Sequence, residues 1–250
     1  MRLVIIAASL ACLVPACAAM ARIPQDAKEG AAAEKAFRWT EGQTLVLPLS
    51  NATLTAPPPV KQLAGIDAVR AWATVSGVPV PAGIEAVVYD PRSRELVLFQ
   101  KVGRGYVPLD DWNTLDVDAI LRTVTEITES GNGKRRQAGL PSLRVVGWLE
   151  PPHLDRSTNS VSWAVEAIGD NGLRIINSMA LVFGRDGFEM LVWGGNSTFT
   201  SSRDLLKIAQ SSFSFFPGSR YSDYQPGDRL SEYGVASITA AVLGMRRGSH

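Results

Sequence analysis

Residues 143–193 read LRVVGWLEPPHLDRSTNSVSWAVEAIGDNGLRIINSMALVFGRDGFEMLVW, and their reading decides the fold. Apolar runs cover Leu143 to Leu149, Val161 to Ile168, Leu173 to Phe183 and Phe188 to Trp193. Each has the length and the β-branched or aromatic content of a strand. Asp170-Asn171-Gly172 and Gly184-Arg185-Asp186-Gly187 are predicted hairpin turns, because Asn and Gly accept the positive φ that tight turns demand. Short loops between successive strands make them antiparallel. Leu173, Ile175, Met179, Leu181 and Phe183 share one face of the third run. The gap between the first two runs holds Glu150-Pro151-Pro152-His153-Leu154-Asp155 and is predicted to be a rigid extended connector.

Upstream, Thr44 to Leu49 alternates and predicts a half-buried strand, with Pro48 marking a sheet edge. Gln62 to Val75 carries Leu63, Ile66, Val69, Trp72 and Ala73 at helical spacing, with Gly77 closing the segment. Ile84 to Tyr89 and Glu95 to Val102 predict two strands joined by the turn Asp90-Pro91-Arg92-Ser93. Gly103-Arg104-Gly105-Tyr106 is a loop without the Gly-Lys-Ser/Thr ending of a phosphate loop. Leu115 to Ser130 predicts an amphipathic helix through Val117, Ile120, Leu121, Val124 and Ile127. Asn113 or Thr114 would cap it, and Gly131 and Gly133 would end it. Lys134-Arg135-Arg136 then reads as a solvated basic loop.

Downstream, Ser202 caps a predicted helix carrying Leu205, Ile208, Ala209 and Phe213. Ser219 to Arg229 is polar and aromatic. Ser231 to Gly244 predicts a short helix. Its apolar run, Tyr233 to Met245, would be about 20 Å long against about 30 Å of bilayer core, too short to span. It would dock on the domain, pair with a partner or lie in the membrane interface. Antiparallel strands with helices between them give an α+β class: a mainly antiparallel sheet flanked by helices.

The chain has 250 residues and a formal net charge of +1, from 25 basic and 24 acidic residues. That balance argues against a nucleic-acid partner, which needs a basic face. Met1-Arg2, the apolar Leu3 to Pro15, and the A-x-A patterns Ala16-Cys17-Ala18 and Ala19-Met20-Ala21 predict a cleaved secretory signal over 1–21. Val14-Pro15-Ala16-Cys17 loosely resembles a lipobox, in which Pro15 is a poor fit. Both cysteines, Cys12 and Cys17, lie in this segment, so residues 22–250 hold no disulfide framework and no thiol nucleophile. A linker over 22–36, an α+β domain over 37–217 and a C-terminal segment over 218–250 follow. The expected location is the periplasm or its membrane surface.

No Gly-x-Ser-x-Gly elbow is present, and no cofactor motif. Glu150, His153 and Asp155 offer oxygen and nitrogen ligands close in sequence, so a metal-assisted hydrolase centred on them is one reading. Against it, His153 is the only internal histidine, and two prolines stiffen the backbone between the ligands. The other reading is a recognition surface. Trp148, Trp163, Trp193, Tyr221 and Tyr224 are aromatics near polar partners, and aromatics with Arg dominate binding hot spots. Trp163 fits the core better, and Arg220 with Asp223 and Asp228 would equally pin the last helix. The candidate binding residues are Trp148, Glu150, His153, Asp155, Arg220 and Tyr221.

Several blocks taken together resemble a bacterial family of unknown function known as predicted membrane-anchored proteins. They are Gly105-Tyr106-Val107, Asn132 with Arg135 and Gly139, Gly147 to Asp155, Trp163-Ala164, Gly184 to Gly187, Arg220-Tyr221-Ser222-Asp223 and Tyr233-Gly234. The resemblance covers Trp39 to Gly244 and implies an envelope protein, with an envelope partner or the membrane surface as what it meets. It implies no catalytic residue. The chain departs from the family in its short C-terminal apolar segment, in Leu154 and in the Asn-rich loop around Asn196. The order of elements is also similar to a PsbP-like α/β/α sandwich.

Overall fold

The computed structural model describes residues 37–76, 81–194 and 198–244. The expected signal and linker, the Asn196 loop and the Arg246-Arg247 end lie outside the described residues. Strands are β1 Leu45–Leu47, β2 Ala52–Leu54, β3 Lys61–Ala64, β4 Ile84–Asp90, β5 Glu95–Val102, β6 Leu143–Asp155, β7 Ser160–Gly169, β8 Arg174–Gly184, β9 Gly187–Gly194 and β10 Phe213–Phe215. Helices are α1 Ile66–Ser76, α2 Val117–Gln137, α3 Phe199–Ser212 and α4 Val235–Val242.

A seven-stranded sheet in the order β3-β4-β5-β9-β8-β7-β6 is antiparallel throughout, and a small sheet β1-β2-β10 stands apart from it. The α+β class and its antiparallel sheet flanked by helices are as the sequence predicts. The large sheet is covered on both faces. Leu98, Trp163, Leu181 and Met190 share one core with Trp72 of α1 and with Val235 and Ile238 of α4. Val97, Phe99, Leu191 and Trp193 share the other with Leu205, Leu206 and Ala209 of α3 and with Leu47, Leu54, Phe213 and Phe215 of the small sheet. This double cover explains why β9 is buried at every position and is apolar on both faces except at Glu189.

Several boundaries move. The segment from Gln62 is not helical from its start. Lys61–Ala64 pairs with β4, Gln62 is fully buried, its Oε1 accepts from the Ala56 amide at 2.8 Å, and α1 begins only after Gly65. Helix α2 is capped by Asp116, whose Oδ1 accepts from the Ala119 amide at 2.8 Å, not by Asn113 or Thr114. It runs through Gly131 and Gly133, so Lys134-Arg135-Arg136 forms its last turn. There the cations meet the negative end of the helix dipole. Arg135 is buried and its Nε donates to the Pro141 carbonyl. Thr198 caps α3, and Ser202 lies buried inside it.

The predicted connector is strand. Pairing of β6 with β7 runs from Leu143 to Asp155, with register shifts at Val145/Gly147, Trp148/Glu150 and Glu150/His153. The bulges accommodate extra residues on β6, and the prolines are tolerated because β6 is a sheet edge. The C-terminal apolar run docks on the domain: Val235, Ala236 and Ile238 of α4 are buried, which commits that face to the core. No described helix is long and apolar enough to cross a membrane.

Candidate functional site

The predicted binding residues divide. Trp163 lies in the core, as its strand position suggests, and Trp193 does too, which removes it from any recognition surface. Trp148 is half-buried against the α1/α4 core, with its indole nitrogen buried and unpartnered. His153 is exposed on edge strand β6, opposite Ser162, whereas Glu150 sits beyond a bulge, opposite Ala164. Asp155 is turned into its own hairpin: Oδ1 accepts from the Ser157 amide at 2.8 Å and from the Ser157 hydroxyl at 2.6 Å. Those bonds hold its carboxyl below the usual carboxylate range. Among the described residues no group of three His, Cys, Asp or Glu side chains could hold a metal ion, so Glu150, His153 and Asp155 do not assemble as the hydrolase reading requires.

The hairpin after Asp155 leads instead to Tyr221. Arg156 donates through Nη2 to the Leu109 carbonyl at 3.0 Å, drawing the β6–β7 hairpin against the 106–110 loop. Tyr106, Pro108, Leu109, Asp110, Arg156, Asn159 and Tyr221 line a cleft of about 270 Å³ there. Tyr106 and Tyr221 form its aromatic wall, and Tyr224, outside the lining, extends their stack. The ring centroid of Tyr106 lies 4.5 Å from that of Tyr221 and 4.2 Å from that of Tyr224, both near parallel. Offset-stacked rings at such spacing are favourable beyond the area they bury.

Local structure holds the stack. The Tyr106 amide donates to the Arg229 carbonyl at 2.7 Å, and the Ser231 amide donates to the Tyr106 carbonyl at 2.8 Å. Gly105 has φ +81°, and a Cβ there would lie 2.4 Å from the Arg229 carbonyl oxygen, so only glycine permits this approach. The Tyr221 hydroxyl donates to the Val107 carbonyl at 2.9 Å. Burial, and then the neighbouring Tyr106, push that phenol far above its usual range, so it stays a neutral donor. Asp223 Oδ2 accepts from the Gly218 amide at 2.7 Å and the Arg220 amide at 3.0 Å, closing the turn that carries Tyr221. The Arg220 side chain is exposed. Asp228 pairs with Arg185, not with the last helix, at 2.7 Å through both carboxylate oxygens. The last helix is tied by Asp111, whose Oδ1 accepts from the Ala236 amide at 3.1 Å.

One further cluster lies outside the candidate residues read from the sequence. Ser50, Glu85 and Glu189 are at most 3% exposed, and the Ser50 hydroxyl contacts Glu85 Oε1 and Glu189 Oε2. Lys101 stands opposite Glu189 across β5 and β9. Ser50 and Lys101 also line a second cavity of about 300 Å³, rimmed by Asp186, Arg185 and Arg229. Strand alternation could have flagged Glu189, a carboxylate at an inward position between Met190 and Phe188. Ser50 is brought in by the β1–β2 turn, which no local pattern marks.

The model of a family described as "Protein of unknown function (DUF2167)" matches residues 40–248. No curated protein matches the chain. Among solved structures, that of cyanobacterial PsbP (CyanoP) from Synechocystis sp. PCC 6803 is similar at a TM-score of 0.36 and 12% identity, over 70% of this chain and 92% of that one.

Proposed function

We propose, from the premise that the chain belongs to the DUF2167 family of proteins of unknown function, that it is an exported cell-envelope domain that binds a partner protein and does not itself catalyse a reaction. The observation that carries this reading is the Tyr221–Tyr106–Tyr224 stack beside the open cleft with Arg156 and Asp110. Large aromatic rings held rigid by backbone hydrogen bonds lose little entropy on binding, and Tyr and Arg are the side chains that anchor protein interfaces. The signal-like N-terminus supports export. The burial of α4 favours association with the envelope through a partner over anchoring by the C-terminal apolar run.

Chemical cross-linking in intact cells tests it. The mature protein is expected to capture a discrete envelope protein, and Arg156→Ala or Tyr224→Ala is expected to abolish that capture while the variants stay folded by circular dichroism. Equal capture by wild type and both variants would place the partner elsewhere. A clean monomer would end the binding reading.

A further inference from the structure

We propose that Glu85 and Glu189 share a single proton, and that this proton is a latch tying the β1–β2 turn, one wall of the Lys101 cavity, to the large sheet. Hydrogen counting carries the first half. Glu85 Oε2 accepts from the Leu49 amide at 3.0 Å and the Ser50 amide at 3.3 Å, while its Oε1 contacts the Ser50 hydroxyl. Both oxygens of Glu85 thus act as acceptors, from two amides and the Ser50 hydroxyl. The same Ser50 oxygen contacts Glu189 Oε2. A hydroxyl has one proton to give, and Glu85 takes it. The contact to Glu189 is then a hydrogen bond only if Glu189 is the donor, as a neutral acid. Glu189 Oε1 is buried with no partner, a position costly for an ionised carboxylate and far cheaper for a neutral one.

Electrostatics agree. Glu189 is fully buried, and burial followed by the adjacent Glu85 charge pushes its carboxyl well above the usual range. Two carboxylates in reach of one hydroxyl cannot both ionise cheaply. The charged group that faces Glu189 besides Glu85 is Lys101 on β5, which itself feels Asp186 in the β8–β9 hairpin and Arg229 in the C-terminal segment. Lys101 is the counter-charge, but its Nζ is already bound to the Asp186 carbonyl at 2.8 Å, and Arg229 opposes it.

The second half follows from position. Leu49, Ser50 and Asn51 form the cavity wall, and the bonds to the carboxyl pair hold that wall against β4 and β9. Loss of the shared proton puts a second negative charge on the pair. The turn then lifts, water reaches the pair, and the cavity widens.

The sign is fixed by linkage. A carboxyl whose folded-state affinity for its proton exceeds the unfolded one stabilises the fold fully below the unfolded value near 4.5, and that stability is lost as pH rises through the folded value. Wild type is compared with Glu189→Gln, whose amide stays neutral and keeps a donor for Ser50. The expected result is that the folding constant of wild type falls relative to Glu189→Gln by up to about tenfold per pH unit above pH 4.5, one proton's worth. Exchange of the Leu49 and Ser50 amides is expected to accelerate with pH beyond the intrinsic rise in wild type and not in Glu189→Gln. Parallel pH profiles for the two proteins would overturn the proposal. Carbon NMR titration of the wild-type carboxyls decides the matter even if the variant fails to fold: both groups titrating below about pH 5 would refute a shared proton.

Discussion

Replacing Asn132 tests how α2 is fastened to the sheet. Its Nδ2 donates to the Leu143 carbonyl at 2.9 Å, and its Oδ1 accepts from the Leu143 amide at 2.8 Å. One side chain thus imitates a neighbouring strand at the start of edge strand β6. Leu143 is buried, so Asn132→Ala leaves two backbone groups without partners. Each such group costs about 1–3 kcal/mol, less what water recovers at a sheet edge, which gives about 2–4 kcal/mol. Asn132→Asp keeps the acceptor and loses the donor, so it is expected to fall between wild type and Ala at neutral pH. Urea unfolding with an unchanged m-value measures the loss, and amide exchange should show protection at Leu143 falling first. A loss under about 0.5 kcal/mol for Asn132→Ala would refute the reasoning.

Other outcomes follow from the same geometry. Gly187→Ala must place a Cβ 2.1 Å from the Val102 carbonyl oxygen at φ +96°, and is expected to cost more than about 2 kcal/mol by urea unfolding. Trp163→Ala empties a 1%-exposed position in the core and is expected to cost about 3–5 kcal/mol in the same assay. Arg185 holds the Asp228 carboxyl below its usual range, so that pair stabilises the fold above pH 3.8 and the contribution is lost as pH falls through the lower folded value; Asp228→Asn should flatten the acid limb of a plot of melting temperature against pH. Replacing Pro151 and Pro152 by Val is expected to open edge strand β6 to pairing between molecules, seen as faster light-scattering growth on mild heating.

The strands and hairpins from Leu143 to Trp193 were legible because periodicity and turn chemistry are local. Asn171-Gly172 and Arg185 to Gly187 mark their turns without help from the rest of the chain. Strand β3 was not legible: Leu63 and Ile66 sit at helical spacing by coincidence, and only pairing with β4 makes Lys61–Ala64 extended. Helix α2 outran its glycines because Asn132 and Arg135 bind the β6 approach and repay their cost. Within the site, Tyr221 was legible as an aromatic in a polar turn. Its partners were not, because Tyr106 comes from 115 residues upstream, across two helices and five strands. Glu150, His153 and Asp155 looked like a ligand set because they are close in sequence. Bulges, edge exposure and the turn bonds of Asp155 send them to different tasks.

The most direct test of the binding cleft is site-specific photo-crosslinking in intact cells, with the photoreactive residue at Asp110 on the cleft and, separately, at the exposed Ser211 on α3. A discrete protein adduct from Asp110, absent at Ser211 and lost when Tyr224→Ala is added, is the predicted result. Adducts of equal yield from both positions, or none from Asp110, would contradict it.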